Sequence, residues 1–374
     1  MTENRADVLI VGGGLMGAAT AFFLRRRGLS VILLERGLIG QQASGVNFGN
    51  VRRQGRFPPQ LPLAHRSRAL WSRLPGLLGE DVEFLPTGHL RVAYGPEQVA
   101  MMEAYRDTAR PWGLELEMLS GNAVRDRFPW LSQDVLAGSF SPEDGHANPR
   151  LVAPAFGRAA RREGARVVEN AKVLAIEPEN GGFRVDTADG MVWRAGMVQV
   201  SAGAWGGRIA ARFGEPVPLT PRGPQMGVTE AAPYALTPVL GVTTRETKEV
   251  IYLRQVTRGN VVFGGTGHGP ADLDGLPARA DPRITLHQFT QLTRMVPALR
   301  ALRIIRTWSG IEGYMRDDIP VMGPSARIPG LFYAFGFCGH GFQLGPGVGD
   351  VMAELIATGR SETPIDPFHI GRFA

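Results

Sequence analysis

The stretch Val8-Leu9-Ile10-Val11-Gly12-Gly13-Gly14-Leu15-Met16-Gly17 decides how the N-terminal part of the chain is read. Ala6 to Val11 is an apolar run of the kind a buried parallel strand shows. Ala18 to Arg27 carries Ala19, Phe22 and Phe23 at helical spacing, and Gly28 supplies a C-cap. Val31 to Leu34 reads as a second strand ending at Glu35. Gly12-x-Gly14-x-x-Gly17 thus falls between a strand and a helix. There Gly12 permits a tight turn, Gly14 lets the backbone approach a pyrophosphate, and Gly17 lets helix and strand pack closely. The helix start offers free N–H groups and a positive dipole end to phosphates. Glu35 stands where a carboxylate accepts hydrogen bonds from ribose hydroxyls. Together these features point to the ADP half of a dinucleotide. Alone, they do not separate NAD from FAD.

Further along, Gln41 to Gln60 is rich in Gly, Asn, Gln and Arg, too long and polar for a simple connection, and reads as a binding loop. Helices are expected over Leu63–Leu74, Pro96–Trp112, Pro149–Gly164 and Ile284–Met295, with another from about Val348 to Thr358. Strands are expected over Phe84–Val92, Val173–Ile176, Met197–Ser201 and Leu331–Phe335, with a hairpin turn at Asn180-Gly181-Gly182. Cofactor-type elements sit at the start, middle and end, and β-rich stretches lie between them. The expected division is a discontinuous cofactor domain (1–83, 147–221, 320–374) and a second domain (84–146, 222–319).

The 374 residues allow a large core and more than one domain. The formal net charge of +6 comes almost wholly from scattered Arg, so solvated helix faces are favoured over a nucleic-acid surface. The lack of an eighteen-residue apolar run argues against an integral membrane segment. The N-terminus does not read as a signal peptide, so a cytoplasmic location is expected, with membrane association on the cytoplasmic side as an alternative. A single cysteine, Cys338, excludes an intrachain disulfide framework and a multi-cysteine metal site; no metal is expected.

Several segments resemble the FAD-dependent amine oxidoreductases of the D-amino-acid oxidase class. They are Val8 to Gly17 with Glu35-Arg36, Ala43-Ser44-Gly45-Val46-Asn47, Ser201-Ala202-Gly203-Ala204-Trp205, Trp308-Ser309-Gly310 through Gly323, and Gly336 to Gly349. The branch most similar is that of the sarcosine oxidase β subunit and the opine and hydroxyproline dehydrogenase flavin subunits. The similarity runs through Gly310-Ile311-Glu312-Gly313-Tyr314 and Gly339-His340-Gly341-Phe342-Gln343-Leu344. The resemblance implies an α/β, Rossmann-like FAD-binding domain of the glutathione-reductase type. It also implies an α+β substrate domain with a large antiparallel sheet. The implied reaction is oxidation of the C–N bond of an amino acid, imino acid or secondary amine, with hydride passing to flavin N5.

The resemblance also carries site residues. Gly12, Gly14, Leu15, Met16, Gly17, Glu35 and Arg36 would hold the ADP part, and the backbone of Val173 would meet adenine. Ser44, Gly45, Asn47, Ala202, Gly203, Trp205 and Gly310 would line the cofactor, although plain core explains Trp205 equally well. Gly339, Gly341, Phe342, Gln343 and Leu344 would place backbone N–H groups and a helix dipole at the N1/O2 edge of the flavin. A substrate carboxylate calls for an Arg fork. Arg52 and Arg53 resemble the substrate-side arginine position, with Arg56 an alternative and Arg222 a weaker one. Glu312 stands where glycine oxidases carry an Arg, with Tyr314 beside it, and could bind a cationic amine. His340 is a candidate for the ring or substrate; Tyr252 and His268 fit the site or the core. Ser309 occupies the place of a flavin-attaching cysteine, which implies non-covalent FAD, and Cys338 reads as a small buried residue. Neither Lys172 nor Lys248 matches an oxygen-activating lysine, which favours a dehydrogenase delivering electrons to a quinone or a partner subunit.

Overall fold

A computed structural model describes residues 4–243, 251–275 and 278–374; Lys248 therefore lies outside the described residues. Among these residues the strands form an eight-stranded, a nine-stranded and a two-stranded sheet.

The eight-stranded sheet is organised around Arg5–Val11, paired in parallel with Val31–Leu34 on one side and Val192–Val200 on the other. Arg166–Val168 extends it beyond Val31–Leu34, and Leu331–Phe335 extends it beyond Val192–Val200, both in parallel. The strand order therefore reverses at Arg5–Val11, the position at which doubly wound sheets open a crevice for a ligand. Val8 to Ile10 and Val31 to Leu34 are buried on both faces, which is why they read as unbroken apolar runs. Helices Leu15–Arg26, Leu61–Trp71, Pro149–Arg162 and Gly341–Thr358 share one core with this sheet, with Phe22 and Phe156 edge to face at 5.8 Å.

The last helix is longer than the sequence suggests. The helix begins at Gly341, not near Val348, and carries Pro346 inside it. A Cβ at Gly345 would lie 2.3 Å from Leu15 Cδ2, at Gly347 2.7 Å from Ser67 Cβ, and at Gly349 2.4 Å from Ala19 Cβ. These glycines let helices approach one another closely.

The nine-stranded sheet runs Ile304–Ser309, Leu219–Ala231, Asn260–Gly269, Ile251–Gln255, Val239–Val242, His89–Ala93, Ala137–Ser141, Glu117–Ser120, with Glu312–Met315 on the first end of Leu219–Ala231. It is antiparallel except where Val239–Val242 meets His89–Ala93. Gly145–His146 pairs with Asn50–Val51 and carries Asp144 towards the arginine turn.

Candidate active site

A cavity of about 900 Å³ runs from the Gly12 turn to the nine-stranded sheet, within the size range of sites for cofactors and substrates, roughly 300–1,000 Å³.

At the first end, the three glycines of the motif divide their work. Gly12 has φ +105°, and a Cβ there would meet Ser201 O at 2.5 Å. A Cβ on Gly17 would lie 2.0 Å from Gly12 O. Both serve close packing. A Cβ on Gly14 would touch only Ser44 Oγ, at 3.1 Å, and Gly14 lines the cavity. Its open side is the space a phosphate needs. Ser44 Oγ accepts from Leu15 N at 2.8 Å, at the helix start. Glu35 lines the cavity and accepts from Gly13 N at 2.6 Å and Gly37 N at 2.8 Å, so its carboxylate also braces the turn. Arg36 stacks 3.6 Å over the Trp205 ring. Its Nη2 is buried without a hydrogen-bond partner among the described residues, and burial lowers its pKa. Trp205 Nε1 donates to Leu273 O at 3.0 Å. Met16, Val173, Ala202 and Gly203 complete this wall.

Gln42–Ser44, Asn47–Asn50, Arg52 and Gln54–Pro58 bring the expected binding loop along the middle of the cavity. Asn47 Nδ2 donates to Ala43 O at 3.0 Å, and Gly49 N donates to Asn47 Oδ1 at 2.8 Å, holding the loop in shape. Gly45 and Gly310 lie behind the lining. A Cβ there would overlap Gly40 O at 2.2 Å and Val46 Cγ2 at 2.1 Å respectively.

At the far end, the arginines are sorted. Arg53 turns away, paired with Asp144 at 3.0 Å and Glu143 at 2.8 Å, so its charge is spent within the protein. Arg56 is 2% exposed and lines the cavity. Its Nε donates to Arg52 O at 3.0 Å and its Nη2 to His340 O at 3.3 Å, while Nη1 is buried with no hydrogen-bond partner among the described residues. Burial, and then the charge of Arg52, pull its pKa down to about 9. Arg52 lines the cavity and bonds the carbonyl of Gln54. Arg91 and Tyr105, which the sequence did not single out, join them, and Tyr105 Oη accepts from Arg56 N at 2.9 Å.

Glu312 and Tyr314 line the same cavity. Tyr314 Oη donates to Glu312 Oε2 at 3.2 Å, and burial pushes the Glu312 carboxyl up to about 7. Arg222 packs 4.9 Å over the Tyr314 ring, and His268 stacks against it at 5.3 Å. Tyr252 lines the cavity, edge to face with Phe48 at 4.6 Å. Gly339, His340, Gly341 and Phe342 line it too, and His340 is the N-cap of helix Gly341–Thr358. Gln343 and Leu344 do not. Gln343 Nε2 donates to Ala64 O at 2.8 Å, and Leu344 is fully buried in the helical core. Cys338 lines the cavity with φ +52°, its Sγ held by Met315 N at 3.1 Å, and burial pushes its thiol up to about 12. Ser309 Oγ donates to Pro224 O at 3.0 Å, behind the lining. Lys172 lies beside Val173 at the first end. Among the described residues no His, Cys, Asp and Glu cluster could hold a metal.

The family model for FAD dependent oxidoreductases (DAO) matches residues 7–355. The chain belongs to this family. Within the DAO family it is 30% identical to a glycine oxidase of Geobacillus kaustophilus over 384 residues, 99% of this chain and 98% of the relative. It is 29% identical to one of the opine oxidase subunits of Rhizobium meliloti, over 98% of this chain and 97% of that one. The structure of an L-proline dehydrogenase from P. horikoshii superposes with a TM-score of 0.91 at 26% identity, covering 99% of this chain and 98% of that chain. The protein is an FAD-dependent oxidoreductase. The residues present fit the cofactor: Gly14 leaves a cradle that a side chain would fill, and the buried Arg36 Nη2 has no acceptor.

Proposed function

We propose that this oxidoreductase acts on the C–N bond of an amino acid, imino acid or secondary amine whose carboxylate is held by Arg56. The observation that carries the reading is Arg56 Nη1, buried and without a partner among the described residues, in the same cavity as Glu312, whose carboxyl burial pushes up to about 7. An Arg fork matches two carboxylate oxygens, and a carboxylate resolves the uncompensated charge of Arg56. FAD, when bound, would supply the acceptor for the hydride of the carbon that bears the nitrogen. The chain's own task is to present a neutral amine. Ionised Glu312 takes the proton from the substrate ammonium at an Oε, because a base with a pKa near the working pH is best matched to that transfer. Loss of hydride from the neutral amine leaves an iminium, which water hydrolyses to a carbonyl group and an amine. Tyr314 positions Glu312 through its hydroxyl, and Tyr252 and Phe342 exclude water at the reacting end. In this reading residues 1–83, 147–221 and 320–374 hold the cofactor, and 84–146 with 222–319 shape the substrate.

The test is incubation of the holoprotein with secondary amino acids and an artificial electron acceptor. An imine, or the carbonyl compound and amine it hydrolyses to, in stoichiometric amount supports the reading; acceptor reduction with no such product refutes it. Non-covalent FAD accords with Ser309 and with the buried, high-pKa Cys338. Electron delivery to a quinone or a partner subunit is favoured by Lys172 lining the ADP end rather than the arginine end. It is favoured too by the Rhizobium meliloti relative, which is named as one subunit of an opine oxidase. Among the described residues no helix is long and apolar enough to cross a membrane.

A further inference from the structure

We propose that Ser67 and Trp71 are positioning residues for the flavin: they hold the first turn of helix Gly341–Thr358 against the cavity, where Pro346 has taken away part of that turn's own bonding. The inference deepens the reading above and rests on it for where the redox end of the cofactor lies.

Helix Gly341–Thr358 begins at the cavity wall. Gly341 and Phe342 line the cavity, and the carbonyl of His340, the residue before them, accepts from Arg56 at 3.3 Å. With the substrate carboxylate at Arg56, the carbon that gives up hydride, and so its acceptor, lie within reach of this turn. The first N–H groups of a helix have no acceptor inside it and carry the positive end of its dipole. They stabilise negative charge gained on reduction best when the turn is already fixed in place.

The helix's own ladder is interrupted there. Pro346 brings no N–H, so the carbonyl of Phe342, four residues earlier, lacks its helical donor. Helix Leu61–Trp71 meets this gap with Ala64, Ser67 and Trp71, a stripe at i, i+3 and i+7 that is wholly buried. Ser67 Oγ donates to Gln343 O at 2.5 Å and accepts from Gly347 N at 3.0 Å, so one hydroxyl joins the chain before the proline to the chain after it. Trp71 Nε1 donates to the same Gln343 O at 2.8 Å, and Gln343 Nε2 donates to Ala64 O at 2.8 Å. The Trp71 ring also packs 5.1 Å from that of Phe342, which faces the cavity. Gly347 makes the approach possible, since a Cβ there would lie 2.7 Å from Ser67 Cβ. Apolar contact alone would bury the two helices. A buried hydroxyl and indole N–H directed at main-chain groups also fix how the turn is oriented.

The experiment reads the midpoint potential of the bound flavin in the purified holoprotein, titrated with dithionite against a reference dye, together with Tm. Ser67→Ala and Trp71→Phe each remove bonds to the turn and keep most of the packing. Each is expected to weaken the reduced flavin relative to the oxidised by about three- to tenfold, the scale of one hydrogen bond. For a two-electron couple that lowers the potential by about 15–30 mV. Val351→Ala, further along the same helix and in the same apolar core, is expected to lower Tm and leave the potential where it is. If Ser67→Ala does not fold, Trp71→Phe decides by the same criterion. A potential that stays or rises in either folded variant, or that falls as far in Val351→Ala, overturns the inference. The titration uses no amine, so the two readings fail separately. Bleaching by amines with unchanged potentials leaves the oxidation reading standing and removes this one. Lowered potentials in a protein that no amine reduces establish the hold on the flavin and remove the oxidation reading.

Discussion

Arg56 donates through Nη2 to the carbonyl oxygen of His340 at 3.3 Å. This bond ties the arginine turn to the residue that caps helix Gly341–Thr358, so the cation is set against the start of that helix by main-chain geometry. Arg56→Gln is expected to raise KM for carboxylated amines by about ten- to a hundredfold, the range of a lost charged hydrogen bond. Steady-state kinetics with flavin content measured in parallel checks this; an unchanged KM with full flavin would move the carboxylate elsewhere.

Glu312 sets a pH dependence. Its carboxyl is held near 7, above the ordinary 4.5, chiefly by burial. As a base it works only when ionised, so kcat/KM should rise with pH through about 7. Glu312→Gln should flatten that limb and lower the plateau. A wild-type profile with no inflection near 7 would exclude Glu312 as the proton acceptor.

The same shift acts on stability with a definite sign. A folded-state pKa above the unfolded value means that the folded protein binds the proton more tightly, so stability is lost as pH rises from about 4.5 to 7. Glu312→Gln should therefore raise Tm at about pH 8 and change it little at about pH 5. Calorimetry at the two pH values decides it.

Gly14 and Gly17 should fail in different ways. A Cβ at Gly14 meets only Ser44 Oγ, at 3.1 Å, a side-chain end that has to give by a few tenths of an ångström, and Gly14→Val points its branches into the space assigned to a phosphate. It should yield a folded, colourless protein. Gly17→Ala places a Cβ 2.0 Å from Gly12 O and should lower Tm or the soluble yield. Circular dichroism with flavin absorbance separates the two outcomes; a yellow Gly14→Val protein would contradict the pyrophosphate assignment.

Cys338 should be inert. It is buried, with its thiol pushed up to about 12. Acid precipitation should release all flavin to the supernatant, and alkylation of the native protein should be negligible. Flavin retained in the pellet would show a covalent link.

The first sheet was legible because Val8–Ile10, Val31–Leu34 and Leu331–Phe335 are apolar runs bounded by turns. The start of the last helix was not. Its glycines and Pro346 hide the helical period, and only the packing of Gly345 on Leu15 and Gly349 on Ala19 explains them. Arg91 was invisible because His89–Ala93 is buried on both faces and shows no alternation. Choosing among Arg52, Arg53 and Arg56 needed Asp144, ninety residues downstream of Gln54, whose carboxylate neutralises Arg53 and leaves the other two facing the cavity.

The central claim is that an amine held between Arg56 and Glu312 reduces the bound flavin. Its most direct test is anaerobic mixing of the purified holoprotein with a panel of secondary amino acids while the long-wavelength flavin band is followed. The account predicts bleaching by carboxylated secondary amines, slowed in Arg56→Gln and Glu312→Gln. A flavin that stays oxidised with every amine of the panel, in a protein that dithionite still reduces, would contradict it.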